Sequence, residues 1–291
     1  MKNDQPTYRG RFAPSPTGDL HLGSLSTALA SFLDARHHCG AWHIRIDNLD
    51  PPREVKGSFE SIHKALLQHG LEWDGTIYFQ GSNTDKYKKA LNKLCEKGHV
   101  FRCTCTRSSL AKNGSCQADC YLFDRPATKN HSLRVVLSPG ETNGFDDLIL
   151  GWQSYELENN PHNFIVRRRD GLYAYQLAAA VDDSKSEFSH IIRGSDLLAS
   201  TYRQRRLRQI LGLASPKYGH IPVRTNEQGI KLSKHSGAAA LDPRCVEQNL
   251  RRSLAHLGQP NPPNSAKMPS EILNFAVENW SRTYIVGSSC T

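Results

Sequence analysis

Residues 8–47 constrain this chain more than any other stretch. A short extended run, YRGRFA, passes through the loop APSPTGDLHLGS into Leu22, Leu25, Leu29, Phe32 and Leu33, which share one helical face. The chain then alternates Trp42, Ile44 and Ile46 against His43, Arg45 and Asp47, as a strand with one buried face does. Strand, helix and strand at this spacing predict a right-handed parallel crossover, and with it an α/β fold. The loop inside the crossover is poor in packing groups. Pro14 and Pro16 fix φ, while Gly18 and Gly23 admit backbone close to a ligand. A loop that opens a helix offers unpaired N–H groups and a positive dipole end, which suit a phosphate, and His21 stands where it can donate to an oxygen that gains charge. The same residues also suit a proline-rich connector with a surface histidine.

Further along, apolar spacing predicts helices at 57–69 (Phe59, Ile62, Leu66) and 84–97 (Tyr87, Leu91, Leu94), the second capped by Asn83 or Thr84. From 101 to 160 the texture changes to cysteines, short strands such as SLRVVL and Gly/Asn/Asp turns, which reads as an α+β insertion. NFIVRRRDGLYAYQLAAAVDD and HIIRGSDLLASTYRQRRLRQILGL return to strand, turn and helix. The last part holds the polar loop NEQGIKLSKHSGAAAL and two helices separated by GQPNPPNSAKMPS. The expected organisation is therefore a sheet domain in two halves, 1–100 and 161–241, an inserted subdomain at 101–160 and a short helical tail at 242–291.

No apolar run approaches the roughly 20 residues that span a bilayer, and MKNDQPTYRG lacks the apolar core of a signal peptide. A cytoplasmic protein with no membrane partner is expected. In that reducing compartment Cys103, Cys105, Cys116 and Cys120 suggest metal before disulfides. Four soft ligands suffice for a closed tetrahedral zinc site with no open position; free thiols or a disulfide are the other readings. The net charge of +9 favours a polyanionic partner. Arg167, Arg168 and Arg169, with Arg203, Arg205, Arg206 and Arg208 spread around one helix, suit either RNA phosphates or a solvated face. Lys231 and Lys234, flanking Ser233, suit a mobile polyphosphate clamp or a solvated loop.

HLGS at 21–24 and KLSKH at 231–235 resemble the HIGH and KMSKS signatures of class I aminoacyl-tRNA synthetases. RFAPSPTGDLHLGS, IRIDNLDPPR, RRRDGLYAYQLAAAVDD and IIRGSDLL, in that order over about residues 9–241, resemble the glutamate-activating branch. The resemblance implies a Rossmann-like parallel-sheet catalytic domain with an inserted zinc-bearing α+β subdomain. It also implies ATP-dependent formation of glutamyl-adenylate, in which alignment and charge stabilisation do the chemistry without a covalent protein intermediate. His21, Lys234 and Lys231 are the implied charge stabilisers. ATP, with magnesium, falls to Pro14, Ser15, Gly18, His21, Gly23, Ser24, Lys231, Ser233 and Lys234. L-glutamate falls to Arg11, Ala13, Ser15, Asp47, Tyr175 and Arg193, where two arginines suit a substrate with two carboxylates.

Two departures from the family pattern stand out. Asp47-Asn48 replaces Glu-Asp, which shortens the acceptor by one methylene, about 1.5 Å, and removes a neighbouring charge. Cys116 stands where short members often have tyrosine. Residues 242–291 are too few for the large helical domain with which ordinary glutamate ligases read the anticodon. With CTCTR at 103–107 and PPREV at 51–55, the chain is similar to a short branch whose members attach glutamate to the queuosine base in the anticodon loop of tRNA(Asp). That similarity implies a monomer that activates glutamate without RNA. Aminoacylation of a tRNA 3′ end, or RNA binding without catalysis, are the alternatives.

Overall fold

Strand β1 (Arg9–Phe12), helix α1 (Leu22–His37) and strand β2 (Ala41–Ile46) form the crossover, with Arg9 to Phe12 paired in parallel against Ala41 to Ile44. This is a computed structural model; it describes residues 8–111, 114–116, 120–121, 130–136, 144–154, 163–184, 187–223 and 239–287. Helix α2 (Ser58–Gln68) returns the chain to β3 (Tyr78–Phe79), parallel to β2, and α3 (Thr84–Glu96) follows. Asn83 occupies the cap position of α3 but makes no side-chain capping bond; its amide reaches back to the Phe79 carbonyl instead.

A second parallel set contains β9 (His190–Gly194) and β10 (Lys217–Ile221), linked by α5 (Leu198–Leu211), which Gly212 ends in the left-handed region at φ 73°. Strand β9 runs beside β1, where the Ser189 N–H donates to the Arg9 carbonyl at 2.9 Å and the Arg9 N–H to Ser189 Oγ at 2.8 Å. The spatial order β3-β2-β1-β9-β10 thus reverses direction of travel between β1 and β9, the place where open α/β sheets bind ligands beyond their strand carboxyl ends.

The 101–160 stretch is divided between two sheets. Strands β4 (Val100–Cys103), β5 (Ser132–Val136) and β8 (Asn163–Arg167) make an antiparallel sheet, whereas β6 (Phe145–Asp147) and β7 (Gly151–Gln153) join the edge of β10. Asp147 secures that junction by accepting from the N–H groups of Ile149, Leu150 and His220.

The central sheet is covered on both faces. Trp42, Ile44 and Ile46 meet Leu25, Leu29 and Leu33 of α1, with α2, α6 (Val246–His256) and α7 (Pro269–Glu278) closing that side. Each fully buried aliphatic side chain there contributes about 1.5–3 kcal/mol. On the other side, α3, α4 (Tyr175–Asp182) and α5 pack together and against β5 and β8. Arg208 belongs to this interior, fully buried, with its guanidinium on the carbonyls of Ala179 and Ala180 and on the Tyr218 hydroxyl. It is therefore withdrawn from any RNA-facing surface. Of the other basic residues, Arg168 pairs with Asp50 and Asp170, and Arg169 donates to the Cys105 carbonyl.

Asp34, buried in α1, joins distant parts of the chain. It accepts from the Tyr8 hydroxyl, from Trp280 Nε1 at 2.9 Å and from Arg282 at 2.7 and 2.9 Å. Among the described residues no helix is long and apolar enough to cross a membrane.

Candidate active site

A cavity of ≈ 380 Å³ opens at the carboxyl ends of β1, β2, β9 and β10. Helix α1 points its first turn at it. His21 is the N-cap residue, and its Nδ1 accepts from the backbone N–H groups of Gly23 (3.1 Å) and Ser24 (3.2 Å). Ser24 Oγ accepts in return from the His21 N–H at 2.9 Å. A ring that accepts at Nδ1 carries its proton on Nε2 when neutral, so the cap fixes which nitrogen donates. The HLGS pattern thus has a local structural reason in the helix cap.

The cavity wall brings together Arg11, Ala13, Pro14, Ser15, His21, Gly23, Ser24, Asp47, Tyr175 and Arg193. Gly18 lies off this wall; it adopts φ 129° and exchanges hydrogen bonds with Ser58 Oγ. Lys231, Ser233 and Lys234 lie outside the described residues. The chain on either side of them reaches the cavity, because Pro222 and Val223 line it and Ala240 pairs with His21 while the Leu241 N–H donates to the Leu20 carbonyl.

Arg11, next to last in β1, is buried, its Nε and Nη2 donating to Asp183 at 3.0 and 2.7 Å. Burial opposes ionisation of Asp183, yet Arg11 and Arg45 hold its carboxyl well below the usual range. Asp47 follows β2 and takes Arg45 Nε and Nη2 at 2.6 and 3.2 Å; here burial prevails and pushes the carboxyl up. Arg193, next to last in β9, sits among neutral partners: Gln204 Oε1 at 3.0 Å, Thr201 Oγ1 at 2.6 Å, His220 Nε2 at 3.3 Å and the Tyr175 hydroxyl at 3.5 Å. His220 in turn donates from Nδ1 to Asp147 at 2.5 Å, and burial lowers its proton affinity despite that carboxylate.

Arg45, Asp183, Gln204, Thr201 and His220 were not found by sequence reasoning. Their partners lie up to 172 residues away, and no local spacing encodes such pairings. The wall as built can bind anionic oxygens at two fixed guanidinium groups, a cation at Asp47 and a phosphate at the α1 terminus.

The four cysteines meet in a separate place. Their sulfur atoms all lie within 4.8 Å of one another, with Cys105 Sγ 3.4 Å from Cys116 and 3.7 Å from Cys120. A tetrahedral ion with metal–sulfur bonds of about 2.3 Å separates its ligands by roughly 3.8 Å, so the cluster can hold a metal ion. Asn163 Oδ1 steadies it by accepting from the Cys116 N–H at 2.8 Å and from Arg134 Nε at 2.7 Å.

Comparison with known proteins follows the same lines. Residues 7–255 match the family described as tRNA synthetases class I (E and Q), catalytic domain. A glutamyl-Q tRNA(Asp) synthetase from Methylococcus capsulatus is 44% identical over 279 residues, covering 94% of this chain and 91% of that protein. The one from Neisseria meningitidis serogroup B is 41% identical over 283 residues, covering 94% and 95%. Among solved structures, the glutamate tRNA ligase of Elizabethkingia meningosepticum, in complex with its amino acid, matches with a TM-score of 0.78 at 23% identity. That match covers 96% of this chain and 66% of the ligase, so the shared fold spans just under two thirds of the longer enzyme.

Proposed function

This chain belongs to the class I tRNA synthetases of the E and Q catalytic-domain family, and from that premise we propose that it glutamylates the queuosine base of tRNA(Asp). The observation that carries the reading is the single cavity in which Arg11, Asp47, Tyr175 and Arg193 face the His21-capped start of α1. Two guanidinium groups beside a carboxylate and a helix start suit a dicarboxylic amino acid next to a nucleotide phosphate.

In the first step an α-carboxylate oxygen of glutamate attacks the α-phosphorus of ATP. An O–P bond forms, the bond to the β-phosphate bridging oxygen breaks, and pyrophosphate leaves. His21 Nε2–H donates to the phosphate oxygens as charge gathers on them, and Pro14, Ser15, Gly23 and Ser24 shape the nucleotide's approach, while Gly18, off the wall, supports the loop through Ser58. Lys231 and Lys234, with Ser233, clamp the polyphosphate, and magnesium accompanies ATP. Arg193 and Arg11 bind the two carboxylates, Ala13 and Ser15 lie beside them, and Asp47 accepts from the ammonium. In the second step a hydroxyl oxygen of queuosine attacks the glutamyl carbonyl carbon: an ester bond forms, the bond from that carbon to the phosphate oxygen breaks, and AMP leaves with the hydroxyl proton taken up by its phosphate.

On this reading the cysteine cluster binds one structural zinc that fixes the β4–β5–β8 sheet, away from the chemistry. On the same reading the chain works in the cytoplasm as a monomer.

The test is glutamate-dependent ATP–pyrophosphate exchange without RNA, followed by transfer of labelled glutamate to tRNA(Asp) with and without queuosine. Exchange without RNA and transfer only to the queuosine-bearing tRNA are expected. Transfer to the 3′ end of a glutamate tRNA would favour the ordinary ligase, and no exchange would leave RNA binding alone. Metal analysis of protein purified without chelator is expected to give one zinc per chain.

A further inference from the structure

Two fully buried charged groups stand directly behind the cavity without lining it. Asp183, just past the end of α4, receives Arg11 through both carboxylate oxygens and Arg45 through Nη1. Arg45, in β2, gives its remaining donors to Asp47 at 2.6 and 3.2 Å. The order Arg11, Asp183, Arg45, Asp47 alternates cation and anion, and only its two ends face the cavity. Arg45 and Asp183 are each 0% exposed.

Buried ion pairs contribute little beyond what apolar groups of the same volume would, so stability is a weak reason for four charges in this core. Orientation is a stronger one. A guanidinium fork binds carboxylates in a fixed plane, and one fork that holds two carboxylates sets their separation. Arg45 therefore ties Arg11 of β1 to the acid that follows β2, through a helix end more than 130 residues away.

We propose that Arg45 and Asp183 are positioning residues for the amino-acid subsite, an inference that rests on the glutamate reading above. Neither touches substrate. Arg45 aims the Asp47 carboxylate at the ligand's ammonium, and Asp183 presents Arg11 with its charge balanced, so that the spacing of the two ligand-facing groups is set before glutamate arrives. Asp47, one methylene shorter than the glutamate of the family pattern, has less reach of its own, and a rigid bidentate partner fixes where that reach ends.

The experiment compares Arg45→Lys with wild type in ATP–pyrophosphate exchange without RNA, alongside calorimetric glutamate binding. Lysine keeps the charge but is a point donor that cannot span both carboxylates. A glutamate KM raised 10-fold or more, a matching loss of glutamate affinity, and an ATP KM within twofold of wild type are expected. Asp183→Asn should move the same constant in the same direction. A glutamate KM within twofold of wild type in folded Arg45→Lys, or a loss confined to the fraction of active enzyme, overturns the proposal. So does failure of both variants to fold, which would assign the pair to the core alone. If wild type neither exchanges nor binds glutamate, the functional reading falls first and this inference with it.

Discussion

The two arginines of the cavity are alike in burial and opposite in surroundings. Arg11 meets a carboxylate, and Asp183 balances its charge; Arg193 meets an amide, a hydroxyl, an imidazole and a phenol, all neutral. A balanced guanidinium offers geometry, whereas one held by neutral acceptors keeps its full attraction for an anion. The lesson is a division of labour: Arg193 should dominate affinity for a carboxylate, and Arg11 should matter as much to the fold as to the ligand.

The largest expected effect breaks this contrast most directly. Arg193→Met should reduce kcat/KM for glutamate about 100-fold or more, near 3 kcal/mol for a lost charged hydrogen-bond set, and equal losses in Arg11→Met and Arg193→Met would dissolve the distinction. Arg11→Met should have the larger thermal cost, lowering the unfolding midpoint by on the order of 10 °C because it removes one of the two cations on a buried carboxylate. Differential scanning calorimetry of the two variants side by side decides it.

Acid should separate the two walls by pH range. Asp183 has a folded proton affinity held below its unfolded one, so its contribution is present above about pH 4 and is lost only as pH falls toward the much lower folded value. His220 is also lowered in the fold, so the unfolded chain takes up its proton first and stability declines as pH drops below about 6.5. His69 and His190, the latter pushed down to about 4 chiefly by burial, carry the same sign. His220→Gln should therefore flatten, without abolishing, the fall in unfolding midpoint between pH 6.5 and 5. An unchanged slope would mean that the Arg193 wall does not titrate there. The smallest effect is Thr201→Val, which removes one neutral acceptor at 2.6 Å from Arg193 and should raise the glutamate KM roughly fivefold, about 1 kcal/mol.

The crossover was legible because its signals are local. Helical spacing from Leu22 and alternation from Trp42 to Asp47 mark α1 and β2 without outside help, and the four cysteines sit close enough in sequence to be read as one cluster. The alternation at β2 misleads in one respect: it assigns one buried face, yet Arg45 on the opposite face is sealed under the end of α4, because this sheet has helices on both sides. Arg208 misleads for the same reason, since its position on a polar helix says nothing of the Ala179 and Ala180 carbonyls waiting for it. Strand β6 is short and pairs with β10 some seventy residues on, so a texture change at 101 could not reveal that it belongs to the parallel sheet.

The Asp34 contact has a practical consequence for anyone trimming this scaffold. Its carboxylate works as a clasp: Tyr8 fastens one extremity of the chain to it, Trp280 and Arg282 fasten the other, and the rod that bears it begins at His21. Cutting ahead of Trp280 would strand a negative charge in an oily interior and loosen the very helix whose tip lines the cavity.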